Sequence, residues 1–356
     1  MSCFYEYISN PHNKIVVIAE MAWAHDGSLE KAKKIIQGAA AAKADAINLH
    51  VTSLEHYMVR NYGSGEGRLS NTTVEKSSVY NYLENINLNF QAYKMLSEYA
   101  RSLGLKLSIM CNDLASLDFV TNEIHPDLLM IHPSSLTDDH FVQKNAEKGI
   151  PIVIYCGGLL LGEIERAITL CKRAGNNQLI LQHGFQSYPT QIEDNHIKYL
   201  ETLKNLFQYP VSFGDHTDGA DPFALIVPLL AIPFGIRIIE KHITYDRSEK
   251  GEDFESALDP STFGCFVDYL RKSEQALGSA SYRPLSEREL KYRQVVMKRA
   301  IINCDIQQGE VLSQTHILYK RSDEGILPSE MNALLGNVRL NKRLEKGMPI
   351  RWEDIQ

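Results

Sequence analysis

Histidines recur at the ends of short apolar runs, where they could move protons or hold a metal ion. Imidazole changes its charge near neutral pH, and it is also the commonest metal ligand in proteins. Five of the twelve histidines follow such runs, and independent structural histidines are the alternative explanation for this repetition. The five are His50, His132, His183, His216 and His242.

Two of these histidines, His216 and His242, follow the seventh and eighth apolar runs. In a closed barrel those runs would be neighbouring strands, so both imidazoles would face one site. With Asp253 or Glu20 nearby, they could form a nitrogen and oxygen site for manganese, iron, zinc or cobalt. Such a metal could polarise a carbonyl as a Lewis acid. A hydrogen-bond network built from the same residues is the alternative.

The apolar runs alternate with longer amphipathic stretches up to about residue 277. Continuous apolar strands separated by helices predict a parallel sheet that is covered on both faces. Eight such units predict a (β/α)8 TIM barrel over residues 1–278, whereas an open doubly wound sheet does not need eight regular repeats. The runs are Ile15–Glu20, Asp45–His50, Leu105–Met110, Leu128–His132, Ile152–Cys156, Leu179–His183, Val211–Asp215 and Arg237–His242.

The rest of the chain divides into a linker and a small second module. Charged and polar residues over 279–293 indicate the linker, and 294–356 contain an internal repeat. The spacing of Ile306, Gly309 and Leu312 recurs in Leu344, Gly347 and Ile350, which predicts a compact, mostly β module. So short a module has a marginal core, so we expect it to dock on another surface, such as a partner subunit. Within the barrel, the long connection around Tyr62–Arg68 predicts a substrate lid or a mobile insertion.

The composition argues against nucleic-acid and membrane partners. A formal net charge of −7 provides no basic field for a phosphate backbone. The sequence contains no apolar stretch of about 18 residues, and its start lacks the pattern of a signal peptide. We therefore expect a soluble, cytoplasmic protein. The six cysteines are scattered without a C-x-x-C pair, which favours reduced thiols.

Motifs along the whole chain carry a family resemblance. They are Ile18-Ala-Glu20, His25-Asp-Gly-Ser28, Tyr188-Pro-Thr190, Gly214-Asp-His-Thr217 and Ile239-Glu-Lys-His-Ile-Thr244, followed by Lys320-Arg321 and Gly325-Ile326 in the tail. Together they resemble the sialic acid synthase family, and the tail resembles that family's C-terminal antifreeze-like (SAF) domain. The resemblance implies a TIM barrel followed by a small, mostly β SAF domain.

The same resemblance implies a reaction and a set of roles. Family members condense phosphoenolpyruvate with an N-acetylated amino sugar, such as N-acetylmannosamine, to give a nine-carbon 2-keto acid and phosphate. A divalent metal at His216 and His242 would polarise the open-chain sugar aldehyde; it is typically manganese, with magnesium, iron, cobalt and zinc as alternatives. Glu20 and Asp253 would help to bind and activate the reactants. The resemblance also implies a domain-swapped homodimer, in which Arg321 contacts the sugar in the other subunit's site.

The sequence departs from the family pattern where phosphoenolpyruvate would bind. The family's Lys-x-Gln after the second strand is Asn48-Leu49-His50 here, and the serine that precedes Asp-His after the seventh strand is Gly214. Further replacements are Ile109-Met-Cys111, Met130-Ile-His-Pro-Ser-Ser135 and Tyr155-Cys-Gly157. Two lysines and several hydroxyl groups suited to an anion are therefore missing. We hypothesise that metal-assisted chemistry on a sugar carbonyl is kept, with another co-substrate or none.

Three functions stay open at this point. The first is a sugar acid synthase that joins a three-carbon enol donor to an amino-sugar aldehyde. The second is a metal-dependent lyase, epimerase or hydrolase that acts on a related carbohydrate without phosphoenolpyruvate. The third is a non-catalytic dimeric binding protein. The predicted catalytic residues are Glu20, Asp253, His50 and His132; the substrate-binding residues are Tyr188, Gln186, Asp215, Lys241, Arg247 and Arg321; the metal ligands are His216 and His242.

Overall fold

A computed structural model describes residues 4–62, 79–279 and 281–356. The chain divides into two compact units, Met1–Gly278 and Ser279–Gln356. Of the predicted lid or insertion, residues 63–68 lie outside the described part. Within that part, no helix is long and apolar enough to cross a membrane.

The first unit contains a closed barrel of eight parallel strands, which confirms the predicted (β/α)8 fold class. Each strand pairs with the next along the chain, and the eighth closes the ring by pairing with the first. The strands are β1 Val16–Glu20, β2 Ala46–Val51, β3 Lys106–Cys111, β4 Leu128–Ile131, β5 Ile152–Tyr155, β6 Leu179–His183, β7 Val211–Asp215 and β8 Ile238–His242.

Helices pack on the outside of the barrel through apolar faces. In Leu29–Ala41, for example, the buried Ala32, Ile35, Ile36 and Ala39 follow the three- and four-residue spacing of one helix face. The helices of this unit are α1 Phe4–Ser9, α2 Leu29–Ala41, α3 Leu54–Tyr57, α4 Val79–Ile86, α5 Phe90–Ser102, α6 Leu114–Phe119, α7 Asp139–Glu147, α8 Leu161–Arg173, α9 Tyr199–Phe207, α10 Val227–Leu230 and α11 Pro260–Leu277. A π-helical turn at Val120–Ile124 extends α6, and short 3-10 turns lie at Pro133–Ser135, Ile192–Asn195, Pro222–Leu225, Ile232–Phe234 and Arg247–Glu249.

The amphipathic stretch between β6 and β7, residues 192–206, is not a single helix. It forms the 3-10 turn Ile192–Asn195, and α9 begins only at Tyr199. The backbone of His196 between them is left-handed, with φ 40°, which interrupts helical hydrogen bonding.

The barrel interior changes from apolar to polar along its axis. Alternate side chains on a strand point to the same face, so residues two apart share the lumen. Ile18 on β1 and Ile238 on β8 belong to an apolar cluster inside the barrel. The same alternation directs Glu20, Glu240 and His242 into the lumen nearer the carboxyl ends of the strands.

Helix α1 is held across the amino-terminal end of the barrel. Its Ile8 joins the interior apolar cluster, with Phe4 and Tyr5 packed beside it. The buried Arg237 guanidinium donates to the carbonyl oxygens of Ile8 (2.6 Å) and Asn13 (2.9 Å). Arg237 therefore ties the N-terminal segment to the residue that precedes β8.

Replacement of Arg237 by methionine is expected to destabilise the first unit by about 1.5–3 kcal/mol, since charged hydrogen bonds are lost and buried carbonyl groups lose their donor. Urea denaturation would show this as a lower transition midpoint. Arg173→Met, at an exposed position on α8, is the matched control and should leave the midpoint nearly unchanged. Equal midpoints for the two variants would contradict the tethering role.

The second unit has its own apolar core and short β segments. Strands β9 Lys298–Ile302 and β10 Ile317–Arg321 form an antiparallel pair. The two copies of the sequence repeat contact each other, because Ile306 from the first copy and Leu344 from the second pair in an antiparallel bridge. Helices α12 Glu287–Val296 and α13 Pro328–Leu334 belong to this unit, as do 3-10 turns at Gln314–His316 and Trp352–Asp354.

The segment predicted as a linker, 279–293, contains the start of a helix. Helix α12 begins inside it, where the hydroxyl of Ser286 accepts from the backbone N–H of Glu289 and the Glu289 carboxylate accepts from that of Ser286. This reciprocal pair of bonds is a capping box. Helix α12 buries none of its residues, so its own hydrogen bonds and cap account for its local order.

Candidate active site

Polar side chains at the carboxyl ends of the strands surround a cavity of about 260 Å³. Active sites of TIM barrels lie at this end, because the loops that follow the strands converge there. Seven of the twelve predicted site residues line this cavity. They are Glu20, His50, His132, Tyr188, His216, His242 and Asp253.

His216 and His242 lie side by side, with ring centroids 5.3 Å apart. Nδ1 of His216 lies 2.7 Å from the carbonyl oxygen of Phe185, to which it donates, so Nε2 keeps its lone pair. Nδ1 of His242 is buried and makes no hydrogen bond to any described residue. Burial lowers the pKa of both rings, which favours the neutral, metal-binding form. The two rings are close enough to bind one cation together.

A metal held here would keep open coordination positions. The described residues include no group of three or more His, Cys, Asp or Glu side chains arranged to hold an ion. If the two imidazoles held a metal, its remaining coordination positions would be open to water or substrate, whereas a closed structural site fills all four with protein ligands. The ring of Tyr188 packs 4.4 Å from His216 and 5.6 Å from His242, so it limits how either imidazole turns.

The loop that carries Asp253 is held beside His242 by hydrogen bonds. Arg247 Nε donates to the carbonyl oxygen of Phe254 (3.1 Å), and Asp26 accepts from the backbone N–H of Glu252 (3.1 Å). These contacts leave Oδ2 of Asp253 3.9 Å from Nδ1 of His242. Burial raises the pKa of Asp253 well above its usual range, and neighbouring glutamates add to the effect. A bound cation would offset that crowding of negative charge.

Glu20 lines the cavity, and three neighbouring residues contact its carboxylate. The backbone N–H of Ala22 donates to Oε1 (2.6 Å), and Asn48 Nδ2 donates to Oε2. His50 Nε2 lies 3.4 Å from Oε1, within ion-pair range but not aligned as a hydrogen bond. Asn48 and His50 stand where the sequence departs from the family pattern, and both contact this one carboxylate.

His132 presents a hydrogen-bond donor to the cavity. The backbone N–H of Ser134 donates to its Nδ1 (3.2 Å), so the neutral ring carries its proton on Nε2. Burial lowers the pKa of His132 to about 4, and nearby His50 and His216 act in the same direction. The ring is therefore neutral at physiological pH.

A second polar network connects β5, β6, β7 and β8 inside the barrel. The hydroxyl of Tyr155 and the amide of Gln182 both donate to Oε1 of Glu240, and Ser212 donates to Gln182. Burial raises the pKa of Glu240 well above its usual range. Gly214 fits this network, because a Cβ there would lie 2.6 Å from the Gln182 amide nitrogen. The glycine thus leaves the space that Gln182 occupies.

The cavity is acidic. Four carboxylate side chains line it, from Glu20, Glu240, Glu252 and Asp253. Among the residues that the structure describes, no lysine or arginine lines it. A multiply charged anion such as a phosphate ester would therefore depend on a bound metal for attraction.

The other five predicted site residues lie outside the cavity lining. Lys241 and Asp215 are neighbours in the β7–β8 register, and the alternation that directs His242 inward directs Lys241 outward. Arg247 braces the loop of Asp253, and Gln186 accepts from the Tyr188 hydroxyl (3.2 Å). Arg321 is exposed on β10 of the second unit. The four of these residues that belong to the first unit therefore support the site from outside the cavity lining.

Sequence reasoning did not assign a site role to several cavity residues. Tyr155 and Glu240 line the cavity, and the two-residue alternation from His242 would have identified Glu240. Trp23, Tyr57 and Tyr82 come from loops and helices whose approach to the barrel mouth has no sequence signal. His183, by contrast, points away from the lumen, and its Nε2 lies 2.8 Å from the Asn195 carbonyl oxygen.

His25, in the loop after β1, should make the stability of the fold depend on pH. Its Nδ1 accepts from the backbone N–H of Gly27, and burial lowers its pKa to about 4, with His50 contributing. Between pH 6.5 and 4 the unfolded chain binds a proton that the folded chain does not, so stability falls as pH falls. His25→Asn should remove up to about 1.4 kcal/mol per pH unit of this dependence. Unfolding midpoints across that range, with exposed His140→Asn as control, would measure it; an unchanged slope would contradict the assignment.

Buried imidazoles and carboxyl groups at the carboxyl end of a closed eight-stranded barrel are the arrangement of a TIM-barrel enzyme. A family model described as the NeuB family matches residues 35–282. The chain belongs to the NeuB family.

Several of the relatives are named as sugar acid synthases. The chain is 31% identical over 96% of its length to the N,N'-diacetyllegionaminic acid synthase of Legionella pneumophila, covering 94% of that protein. It is 28% identical to a pseudaminic acid synthase of Campylobacter jejuni, with 98% of each chain covered. A solved structure of an N-acetylneuraminic acid synthetase from Leptospira borgpetersenii superposes with a TM-score of 0.68 and 26% identity, covering 79% of this chain and 92% of that one.

Proposed function

We propose that the chain is a metal-dependent enzyme that joins a three-carbon enol donor to the open-chain aldehyde of an amino sugar. The product would be a nonulosonic-type 2-keto sugar acid. The observation that carries this proposal is the pair of neutral imidazoles, His216 and His242, beside Asp253 at the barrel mouth. The named sugar acid synthases among its relatives support the same reaction class.

The predicted site residues that line the cavity have roles that their chemistry allows. His216 and His242 would hold a divalent metal, manganese in this proposal, which supplies Lewis-acid polarisation of the aldehyde oxygen. Glu20 and Asp253 would accept hydrogen bonds from sugar hydroxyls, and Nε2 of His132 would donate one. The ring of Tyr188 packs against both imidazoles and would help to hold them in place.

A second candidate function omits phosphoenolpyruvate. Because no described lysine or arginine lines the cavity, a phosphate and a carboxylate together would face four acidic side chains and no described basic one. A lyase, epimerase or hydrolase that acts on a related carbohydrate needs no such anion. The metal-binding pair of His216 and His242, together with the neutral ring of His132, could serve that chemistry.

Several sequence-based expectations stay predictions here. They are the SAF identity of the second unit, the domain-swapped homodimer with Arg321 at the partner's site, and the cytoplasmic location. Stoichiometric metal would already distinguish both enzyme functions from a non-catalytic binding protein.

The deciding experiment is an assay with manganese, phosphoenolpyruvate and a panel of N-acetylated hexosamines and their 6-phosphates. Phosphate release and new 2-keto acid would be followed by mass spectrometry, with sugar-free reactions as the control. Sugar-dependent formation of both products would establish the synthase with its family donor. No turnover by metal-loaded protein would rule out phosphoenolpyruvate and favour the second candidate or another donor.

A further inference from the structure

The loop after β8 holds Asp253 in a backbone conformation that needs support from its surroundings. Asp253 has φ 59°, in the left-handed region that residues other than glycine rarely adopt. Such a conformation persists only where neighbouring contacts over-determine it. Oδ2 of this residue lies 3.9 Å from Nδ1 of His242. The contacts that fix the loop therefore also fix a carboxyl group beside the imidazole pair.

Two neighbouring loops hold the chain on either side of Asp253. On its C-terminal side, the carbonyl oxygen of Glu255 accepts from the backbone N–H of Gly219, in the loop after β7 (2.7 Å). On its N-terminal side, Oδ1 of Asp26, in the loop after β1, accepts from the backbone N–H of Glu252 (3.1 Å). Asp26 thus holds the residue that directly precedes Asp253.

Gly251 leaves the room that the Asp26 carboxylate occupies. A Cβ at position 251 would collide with both carboxylate oxygens of Asp26. A larger residue there would therefore have to push the carboxylate away from the Glu252 N–H, or push the two loops apart. The absence of a side chain at position 251 and the presence of a carboxylate at position 26 thus complement each other.

A lysine on α2 joins the two loops by charge. Nζ of Lys31 lies 3.5 Å from Oδ2 of Asp26, and it also donates to Glu249, in the 3-10 turn that follows β8. The ammonium therefore binds one carboxylate from each loop. The two oxygens of Asp26 have separate partners, since Oδ1 faces the Glu252 N–H and Oδ2 faces the ammonium. Tyr82 on α4 adds a further contact by donating to the Glu252 side chain.

We infer that Asp26 is a positioning residue that fixes the carboxyl group of Asp253 beside the imidazole pair. Asp26 does not line the cavity, so it acts on a substrate only through Asp253. Lys31 and Gly251 support Asp26, because one holds its carboxylate by charge and the other leaves it room. The inference deepens the proposed function, and its expected effect on turnover rests on that function.

Hydrogen–deuterium exchange of the loop tests the positioning role without any measurement of turnover. Asp26→Gly removes the carboxylate, and glycine adopts the left-handed backbone of this position (φ 48°) without strain. The Glu252 N–H should then exchange at least about 10-fold faster, because it loses a hydrogen bond to a charged group. Asp26→Asn keeps an oxygen that can accept this bond, so exchange should stay near the wild-type rate. Asp268→Ala, at an exposed position on α11, is the control.

A second variant displaces the same carboxylate and leaves residue 26 unchanged. Gly251→Ala should speed exchange of the Glu252 N–H as Asp26→Gly does, because the added methyl group takes the place of the carboxylate. Combined with Asp26→Gly it should add little, since the group that it displaces is already absent. Gly162→Ala on α8 is the matched control, because a Cβ there meets no atom within 4 Å. Thermal melts establish that each variant is folded.

The assay with manganese, phosphoenolpyruvate and N-acetylated hexosamines measures the consequence for turnover. Asp26→Gly should lower kcat/KM for the sugar by about 10–100-fold, since a misplacement of about 1 Å can cost about 100-fold. Asp26→Asn should restore most of this loss. In a chain that already carries Asp253→Asn, Asp26→Gly should cause little further loss, because the carboxyl group that it positions is absent. Multiplied losses in the double variant would show that Asp26 acts elsewhere.

Two further results would overturn the inference. One is exchange of the Glu252 N–H at the wild-type rate in folded Asp26→Gly; the other is wild-type kcat/KM in this variant despite faster exchange. Absence of turnover by metal-loaded wild-type protein would instead refute the proposed condensation with phosphoenolpyruvate. The exchange rates of the same variants would still decide whether Asp26 holds the loop of Asp253.

Discussion

His216→Asn is expected to abolish stoichiometric manganese binding and, with it, catalysis. The asparagine amide can still donate to the Phe185 carbonyl oxygen, but it has no second nitrogen at the position of Nε2. Only His242 would then remain of the imidazole pair. Since loss of a group that merely supports a ligand costs about 10–100-fold in metal affinity, loss of a ligand should cost at least about 100-fold. Calorimetric titration with manganese would measure the change.

The matched control for this variant is His140→Asn, which changes an exposed histidine on α7. It should bind manganese with wild-type affinity and one ion per chain. Thermal melts of both proteins establish that the His216 variant is folded. Wild-type manganese affinity in folded His216→Asn would refute the metal site, and activity that survives chelation would refute the role of the metal in catalysis.

Lys241→Met is expected to destabilise the barrel by about 3–5 kcal/mol, because it leaves a buried carboxylate without its cation. Lys241 and Asp215 have no exposed side-chain surface, and Nζ lies 2.5 Å from Oδ2. The ammonium also donates to the Thr217 carbonyl oxygen (3.2 Å), while Thr217 donates to Asp215. The pair thus fixes the start of the loop that carries His216. Urea denaturation should show a clearly lower midpoint.

A double-variant cycle distinguishes ion pairing from lost packing. Asp215→Asn combined with Lys241→Met removes the uncompensated charge, so it should recover a large part of the stability lost in Lys241→Met. The surface pair of Lys94 and Glu123 is the comparison, and Lys94→Met should change the midpoint little. Additive losses in the double variant would show that the buried charges are not coupled.

The strands and the imidazole pair could be predicted from the sequence because they depend on local patterns. Continuous apolar runs such as Leu179–His183 coincide with a barrel strand residue for residue. A polar residue that ends such a run must lie at the carboxyl end of the barrel, whichever helices follow. This reasoning placed Glu20, His216 and His242 at one cavity.

The direction of individual side chains was harder to predict. Asp215 and His183 also end strands, and Lys241 is the last residue but one of β8. A shift of one residue along a strand turns a side chain from the lumen to the outer face. Lys241 and Asp215 consequently form a buried support, and His183 bonds to the loop after β6. Reading the alternation outward from the interior Ile238 would have separated these positions.

The sequence by itself determined the closed eight-stranded barrel, the presence of a second small module, and the residue types gathered at the strand ends. Tertiary structure alone decided that Asn48 and His50 both meet Glu20, that Tyr155 reaches Glu240, and that the cavity has no described basic lining. The physical reason is that strand formation depends on neighbours along the chain. Contacts across the barrel depend on register and closure, which bring together residues far apart in the chain, such as Val16 on β1 and Ile238 on β8.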